Sequence, residues 1–301
     1  MKNFINIADF SRAQLQFLLK EALADKQALK AGTLEHTLAG KTLAMYFEKP
    51  SLRTRVSFES GMIQLGGGAI YLTQNDIGLG RREPVQDVAR VLGRMCDAIM
   101  ARTFSHQLVE ELGHWSPVPV INALTDYSHP CQAMADLMTV QEHFGTLEGR
   151  ALAFVGDGNN VARSLAVACS KLGMGFRIAT PEGYELTDCP VNDYLATTDP
   201  RQAVDEADVV YTDTWVSMGQ EEEKAKRVAE FKGFEVNADL MAAAPNHAIV
   251  LHCLPAYRGY EISDDIFETH ADHIITEAEN RQHLQRTLVN LLVNRGELPS
   301  G

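Results

Sequence analysis

The amino-acid sequence predicts an α/β protein of two α/β domains, each with a mainly parallel sheet flanked by helices. Short runs rich in apolar and β-branched residues alternate with helical repeats along the chain, the pattern of strand–helix–strand units. The pattern stops at Gly145–Gly149 and begins again at Ala151, which divides the chain into halves of comparable size. The length of 301 residues, 45% hydrophobic and 22% charged, supplies apolar material for two cores.

Taken in order, an amphipathic helix is expected over about Ser11 to Ala31, and the apolar run Thr42–Phe47 reads as a buried strand. It feeds Ser51-Leu52-Arg53-Thr54-Arg55 and a helix that ends at Gly66-Gly67-Gly68. Strands are predicted at Ala69–Leu72, Asp97–Ala101 and Val118–Asn122, with helices at Pro84–Met95, Ser105–Trp115 and Pro130–Phe144. In the second half Ala151–Val155, Phe176–Ala179, Val209–Thr212 and Ala248–His252 read as strands. Helices fit Asn160–Leu172, Arg201–Glu206 and Arg281–Val293, and the charged stretch Glu221–Phe234 reads as a solvated helix.

The formal net charge is -13, from 27 basic and 40 acidic residues. Such a surface repels phosphate backbones and anionic lipids, so no nucleic-acid or membrane partner is expected. An acidic protein that binds a small anion must gather its few arginines in one place. No run approaches the roughly 18 apolar residues of a membrane span. The N-terminal segment has neither the apolar core nor the cleavage site of a signal peptide. Five widely spaced cysteines with no Cys-x-x-Cys pair argue against a disulfide framework or a zinc site and for a cytoplasmic location.

Six segments placed just after predicted strands carry candidate chemistry, as α/β sheets lead one to expect. Ser51-Leu52-Arg53-Thr54-Arg55 opens a helix, where backbone amides, two hydroxyls and arginine forks suit a phosphate. Arg102 ends another strand on the same sheet edge and can share that anion. In His129-Pro130-Cys131-Gln132, Pro130 suits the first helical position, so His129 and Gln132 can donate to a carbonyl or an anion. Gly156-Asp157-Gly158-Asn159-Asn160 lacks the third glycine and the acid of a dinucleotide fingerprint, and its asparagines suit an amino-acid head group. Asp213 can pair with an ammonium, and Cys253 in His252-Cys253-Leu254-Pro255 reads as a ligand-lining thiol rather than a nucleophile.

Together and in this order these segments resemble the ornithine carbamoyltransferases of the aspartate/ornithine carbamoyltransferase family, over essentially the whole chain. The most specific pieces are Ser-x-Arg-Thr-Arg, His-Pro-Cys-Gln, Asp-x-x-x-Ser-Met-Gly and His-Cys-Leu-Pro. The resemblance implies two α/β domains joined by interdomain helices, residues 1–145 for carbamoyl phosphate and 146–280 for ornithine. A C-terminal helix, 281–301, returns to the first. It implies a homo-oligomer, a trimer or a multiple of trimers, with active sites near subunit interfaces. Carbamoyl phosphate would be held by Ser51, the Leu52 backbone, Arg53, Thr54, Arg102, His129 and Gln132. Cys253, the Leu254 backbone and Arg281 would close the site from the second domain. Ornithine would be held by Asn160, Asp213, Ser217 and Met218. Arg102, His129, Thr54 and Cys253 are the implied catalytic group, with no cofactor and no metal.

Three departures from the family pattern stand out. Leu52 replaces the first threonine of Ser-Thr-Arg-Thr-Arg, Gly78 stands where a glutamine reaches the neighbouring subunit's carbamoyl phosphate, and Tyr257 stands in place of histidine. Arg81 or Arg82 is the expected substitute for the missing glutamine. Three rival readings follow. One is a transcarbamylase for another amine, such as N-acylornithine or putrescine. Another is a non-catalytic anion-binding or regulatory protein. The third, resting on Gly156–Gly158 alone, is a dinucleotide-dependent oxidoreductase.

Overall fold

A computed structural model describes residues 2–216, 219 and 221–299. The chain forms two compact units: residues up to Met134 with those from Glu279 onward, and Ala135–Ala278.

The first unit contains α1 (Arg12–Lys30), β1 (Thr42–Phe47), α2 (Leu52–Gln64), β2 (Gly68–Thr73), α3 (Gln74–Ile77), α4 (Val85–Met95), β3 (Ala98–Arg102), α5 (His106–Trp115) and β4 (Val120–Leu124). It ends within α6 (Pro130–Phe144). A Ser11–Gln14 capping box starts α1, as the Ser-x-x-Gln spacing dictates. The four strands are parallel in the order β2-β1-β3-β4. Both β1 and β3 are buried along almost their whole length, which is why they read as unbroken apolar runs. Ala44, Tyr46, Ile99, Ala101 and Val120 share one core with Val88, Val109 and Leu112 of the covering helices.

The second unit continues α6 and adds β5 (Ala151–Val155), α7 (Asn160–Leu172), β6 (Gly175–Ala179), β7 (Leu195–Thr197), α8 (Pro200–Val204), β8 (Val209–Thr212), α9 (Lys224–Glu230), α10 (Ala238–Met241), β9 (Ile249–His252) and α11 (Asp264–Thr269). It ends within α12 (Ala271–Arg295), so α6 and α12 both run through the division between units. Its sheet is also parallel, in the order β7-β6-β5-β8-β9. Ala153, Val155, Val210 and Val250 pack with Trp215, Phe231, Val236 and Ile266 in its core. Gly173, at φ +79°, stops α7 in the left-handed conformation that glycine adopts freely.

The predicted strands recur to within two residues, and α6 and α7 have their expected bounds. Four elements escaped the sequence: β7, α3, α10 and α11, of three to six residues each. The helix expected from Arg281 begins instead at Ala271; the buried polar Glu277 and Asn280 in its first turns interrupt the apolar period that would have marked it. The solvated helix at Glu221–Phe234 shrinks to a 3-10 turn and the seven residues of α9.

Candidate active site

In the first unit the carboxyl ends of β1, β3 and β4 deliver the predicted residues to one edge. Parallel pairing sets Phe47 beside Arg102, and the amide of Glu48 donates to the Arg102 carbonyl at 2.9 Å, so the loop after β1 leaves alongside the end of β3. The pairing of β3 with β4 shifts between Ala101 and Arg102, the kind of irregularity that re-aims a side chain at a strand end.

Ser51 caps α2: its Oγ accepts from the Thr54 amide at 3.3 Å and donates to Thr54 Oγ1 at 3.1 Å. Thr54 is fully buried, and its hydroxyl is the meeting point of two guanidinium groups. Arg281 Nη2 donates to it at 2.9 Å and Arg102 Nη1 at 3.4 Å. Both arginines are themselves buried, although they arise far apart in sequence. Two buried guanidinium groups thus aim at one hydroxyl, an arrangement of donors suited to an anion with several oxygens.

His129 lies beside them. Its carbonyl accepts from the amides of Gln132 and Ala133, each at 3.2 Å, so it caps the first turn of α6, and Gln132 is buried in that turn. Burial, then the charges of Arg281 and Arg102, hold the imidazole well below its ordinary pKa. A neutral imidazole donates one hydrogen bond without a charge, as a carbonyl oxygen requires. Cys131 takes no part in such chemistry: its thiol points to the Asn122 carbonyl at 3.4 Å, and burial pushes it up to about 12.

Arg53 occupies the first turn of α2, with Leu52 exposed beside it. Arg55 turns away, pairing with Glu59 at 3.1 Å and stacking 4.3 Å from the Tyr71 ring. Arg281, expected to act from the second domain, belongs to the first unit, because the last part of α12 packs there. Gly78 caps α3 at φ +67°, and Arg82 reaches back to the Asp76 carbonyl at 2.7 Å.

In the second unit Asp213 follows β8 and is almost fully buried. Its Oδ2 accepts from Asn159 Nδ2 at 2.9 Å, and its Oδ1 accepts from the Thr214 amide at 2.7 Å and the Cys253 thiol at 2.9 Å. Desolvation, then the Asp213 carboxylate, pushes the Cys253 thiol well above its ordinary value. A thiol so held is a hydrogen-bond donor and not a thiolate nucleophile. Asn160 is the first residue of α7, next to the capping Asn159 whose Oδ1 takes the Val161 and Ala162 amides. Ser217 and Met218 lie outside the described residues.

Asp213, His252 and Cys253 bring a carboxylate, a ring nitrogen and a sulfur within 4.8 Å of one another. Both His252 nitrogens are already engaged, Nδ1 accepting from the Leu254 amide at 2.9 Å and Nε2 meeting Glu261 Oε1 at 3.1 Å. That ring braces the turn at Leu254, whose φ of +58° lies in the left-handed region. Gly158 is spent on its own chain: a Cβ there would sit 2.4 Å from the Leu186 amide, and its amide donates to Tyr184 at 2.9 Å. The loop therefore closes where a dinucleotide's pyrophosphate would approach.

Sequence reasoning placed Asn159 only among the asparagines suited to a head group, and it missed Glu261 and Glu277. Asn159 fixes the carboxylate that faces Cys253, and Glu261 orients His252. Glu277 accepts from the His252 amide at 2.8 Å and the Tyr211 hydroxyl at 3.2 Å. An N-cap asparagine signalled the first of these; no local pattern marks the two acids, which meet their partners only through tertiary packing.

Two parallel α/β units, with arginines gathered at the edge of one sheet and a carboxylate–thiol pair at the edge of the other, define the class: an α/β protein with an anion-seeking edge and an amine-seeking edge. Residues 2–142 match the family domain described as aspartate/ornithine carbamoyltransferase, carbamoyl-P binding domain, and residues 148–292 match the Asp/Orn binding domain. The chain is 49% identical to an ornithine carbamoyltransferase of Nitratiruptor sp., over 99% of this chain and 100% of that protein. The solved ornithine carbamoyltransferase of Pyrococcus furiosus is 44% identical, with a TM-score of 0.91, covering 98% of this chain and 97% of that one. The anabolic enzyme of Campylobacter jejuni is 40% identical, with a TM-score of 0.90, covering 98% and 100%. The chain belongs to the aspartate/ornithine carbamoyltransferase family.

Proposed function

We propose that the protein transfers the carbamoyl group of carbamoyl phosphate to the side-chain amine of L-ornithine, giving L-citrulline and phosphate in arginine biosynthesis. The observation that carries this reading is the convergence of Arg102 and Arg281 on the buried Thr54 hydroxyl, with the neutral imidazole of His129 beside them. In this reading the phosphate is held by Ser51, the Leu52 amide, Arg53, Thr54 and Arg102, and the carbamoyl group by His129, Gln132 and Arg281. Asn160, Asp213, Ser217 and Met218 hold the amino-acid end of ornithine. Cys253 and the Leu254 backbone serve the reacting end, the thiol as a donor.

The unprotonated amine nitrogen attacks the carbonyl carbon, and the C–N bond forms as the carbonyl oxygen gains charge. Arg102, His129 and Thr54 donate to that oxygen. The bond from carbon to the phosphate oxygen then breaks, the electron pair leaves with phosphate, and the nitrogen passes its proton to the departing phosphate. Preorganised donors and positioning supply the acceleration, and each such donor typically contributes roughly 3–4 kcal/mol.

A homotrimer is part of the proposal. Leu52, Val56 and Ile63 project from α2 at helical spacing with Ile70 of β2 also exposed, an apolar stripe that a second copy would cover. A cytoplasmic location fits five free cysteines, and no helix among the described residues is long and apolar enough to cross a membrane.

The test is phosphate release from carbamoyl phosphate by the purified protein, with L-ornithine, N-acetylornithine, putrescine and L-aspartate offered separately. Citrulline formation from ornithine alone is the expected result. Turnover with another amine would reassign the acceptor, and binding of carbamoyl phosphate without turnover on any amine would leave a binding protein.

A further inference from the structure

The second unit holds a cavity of about 140 Å³ with Trp215, Val216, Lys224, Val228, Tyr257 and Glu261 in its lining. Two of these residues are buried and carry a polar atom with no partner among the described residues. Trp215 is 5% exposed, and its Nε1–H meets no acceptor. Glu261 is 1% exposed; its Oε1 takes His252 Nε2 at 3.1 Å and the Tyr257 amide at 2.6 Å, while Oε2 takes nothing. A buried donor and a buried carboxylate oxygen, both unsatisfied, are costly unless something supplies the missing partners. Lys224 adds an ammonium 5.4 Å from the Tyr260 ring centre, and Val216 and Val228 supply apolar wall.

We propose that this cavity binds a small aliphatic α-amino acid as an effector, distinct from the acceptor. The ammonium of such a zwitterion satisfies Glu261 Oε2, its carboxylate takes the Trp215 N–H and the Lys224 ammonium, and its side chain lies against the valines and tyrosine rings. The cavity is wired to the reaction side of the unit. Glu261 holds His252, whose Nδ1 holds the Leu254 amide next to Cys253, and Trp215 lies two residues after Asp213. A ligand that engages Glu261 therefore acts on the turn carrying Cys253 without touching substrate.

The inference stands on the second unit alone and does not depend on which amine is the acceptor. It is tested by calorimetry with L-valine on the full chain, with and without saturating L-ornithine. The expected result is one valine per chain that ornithine does not displace, with a Kd that saturating ornithine shifts at least about threefold, the reciprocal coupling an effector requires. Isovalerate, lacking the amine, and isobutylamine, lacking the carboxylate, should each bind at least about tenfold more weakly, roughly 1.4 kcal/mol. Trp215→Phe keeps the ring and removes the donor, and Lys224→Met removes an exposed charge; both should raise the Kd about tenfold. Absence of valine binding, displacement of valine by ornithine, or unchanged affinity in both variants would each overturn the proposal, leaving the two polar atoms to water.

Discussion

The two units share one architecture and solve opposite electrostatic problems. At the sheet edge of the first, two buried arginines converge on a hydroxyl, and burial together with their charges depresses a histidine, so positive charge gathers there. In the second, Asp213, Glu277, Asp136 and a protonated Cys253 accumulate, so acidic groups gather there. A parallel sheet exposes strand carboxyl ends and helix N-termini in either case. The side chains placed there decide whether the unit seeks an anion or an amine, and net charge, at -13 for the whole chain, cannot reveal this.

Breaking the first half of that contrast should have the largest effect. Arg102→Ala removes one of two cations on Thr54 and should lower kcat about 10²- to 10³-fold, roughly 3–4 kcal/mol of transition-state stabilisation. Initial rates of citrulline formation at saturating substrates measure it. A loss confined to KM would instead assign Arg102 to ground-state binding alone.

The corresponding change in the second unit is Asp213→Asn. Losing a charge-assisted contact of about 1.5–3 kcal/mol should raise the ornithine KM roughly 10- to 100-fold and leave the carbamoyl phosphate KM unchanged. The same variant should lower the Cys253 pKa, since the carboxylate helps hold the thiol up. The pH dependence of its alkylation reads that shift, and an unmoved profile would remove Asp213 from the acceptor side.

The contrast was only half legible in the chain itself. Ser51, Arg53, Thr54, Arg102 and His129 all follow strands written as apolar runs, so strand prediction alone brought them to one edge. Arg281 and the return of its helix to the first domain came only from the resemblance, since no local pattern shows where α12 packs. Glu277 and Glu261 left no trace: a buried acid within a helix or after a turn looks like a solvated one until its partners are known. The missing strand β7 is a three-residue edge strand, too short to carry a period of two.

The two units should also differ in their response to pH. His129 has a depressed folded pKa, so its contribution is complete above the unfolded histidine value and is lost as pH falls. Glu277 is pushed well above the usual carboxyl range, by burial first and by the neighbouring Asp136 next, so its contribution is complete at low pH and is lost as pH rises through the folded value. Tyr211, also pushed up by burial and these acids, acts in the same direction. Glu277→Gln should flatten the alkaline loss of stability while leaving the acid limb, where His270 and His273 also titrate below their usual value. Urea unfolding across pH measures both limbs, and an alkaline limb unchanged in Glu277→Gln would show that the pair does not hold a proton.

The smallest effect sharpens the comparison within the first unit, between its buried edge and its exposed loop. Gly78 has φ +67°, and a Cβ there would lie 2.7 Å from the Cβ of Arg82, so a side chain at this position strains the backbone and crowds Arg82. Gly78→Ala should therefore cost about 1–2 kcal/mol, from the left-handed backbone and the crowding together. Adding Arg82→Gly should recover the part due to crowding and leave the backbone part, because glycine at position 82 has no Cβ to meet. If the double variant were no more stable than Gly78→Ala in urea unfolding, the two positions would be independent. Arg82 would then be a surface residue that happens to stand beside a cap, and not the counterpart of Gly78 in an exchange of side chains across one turn.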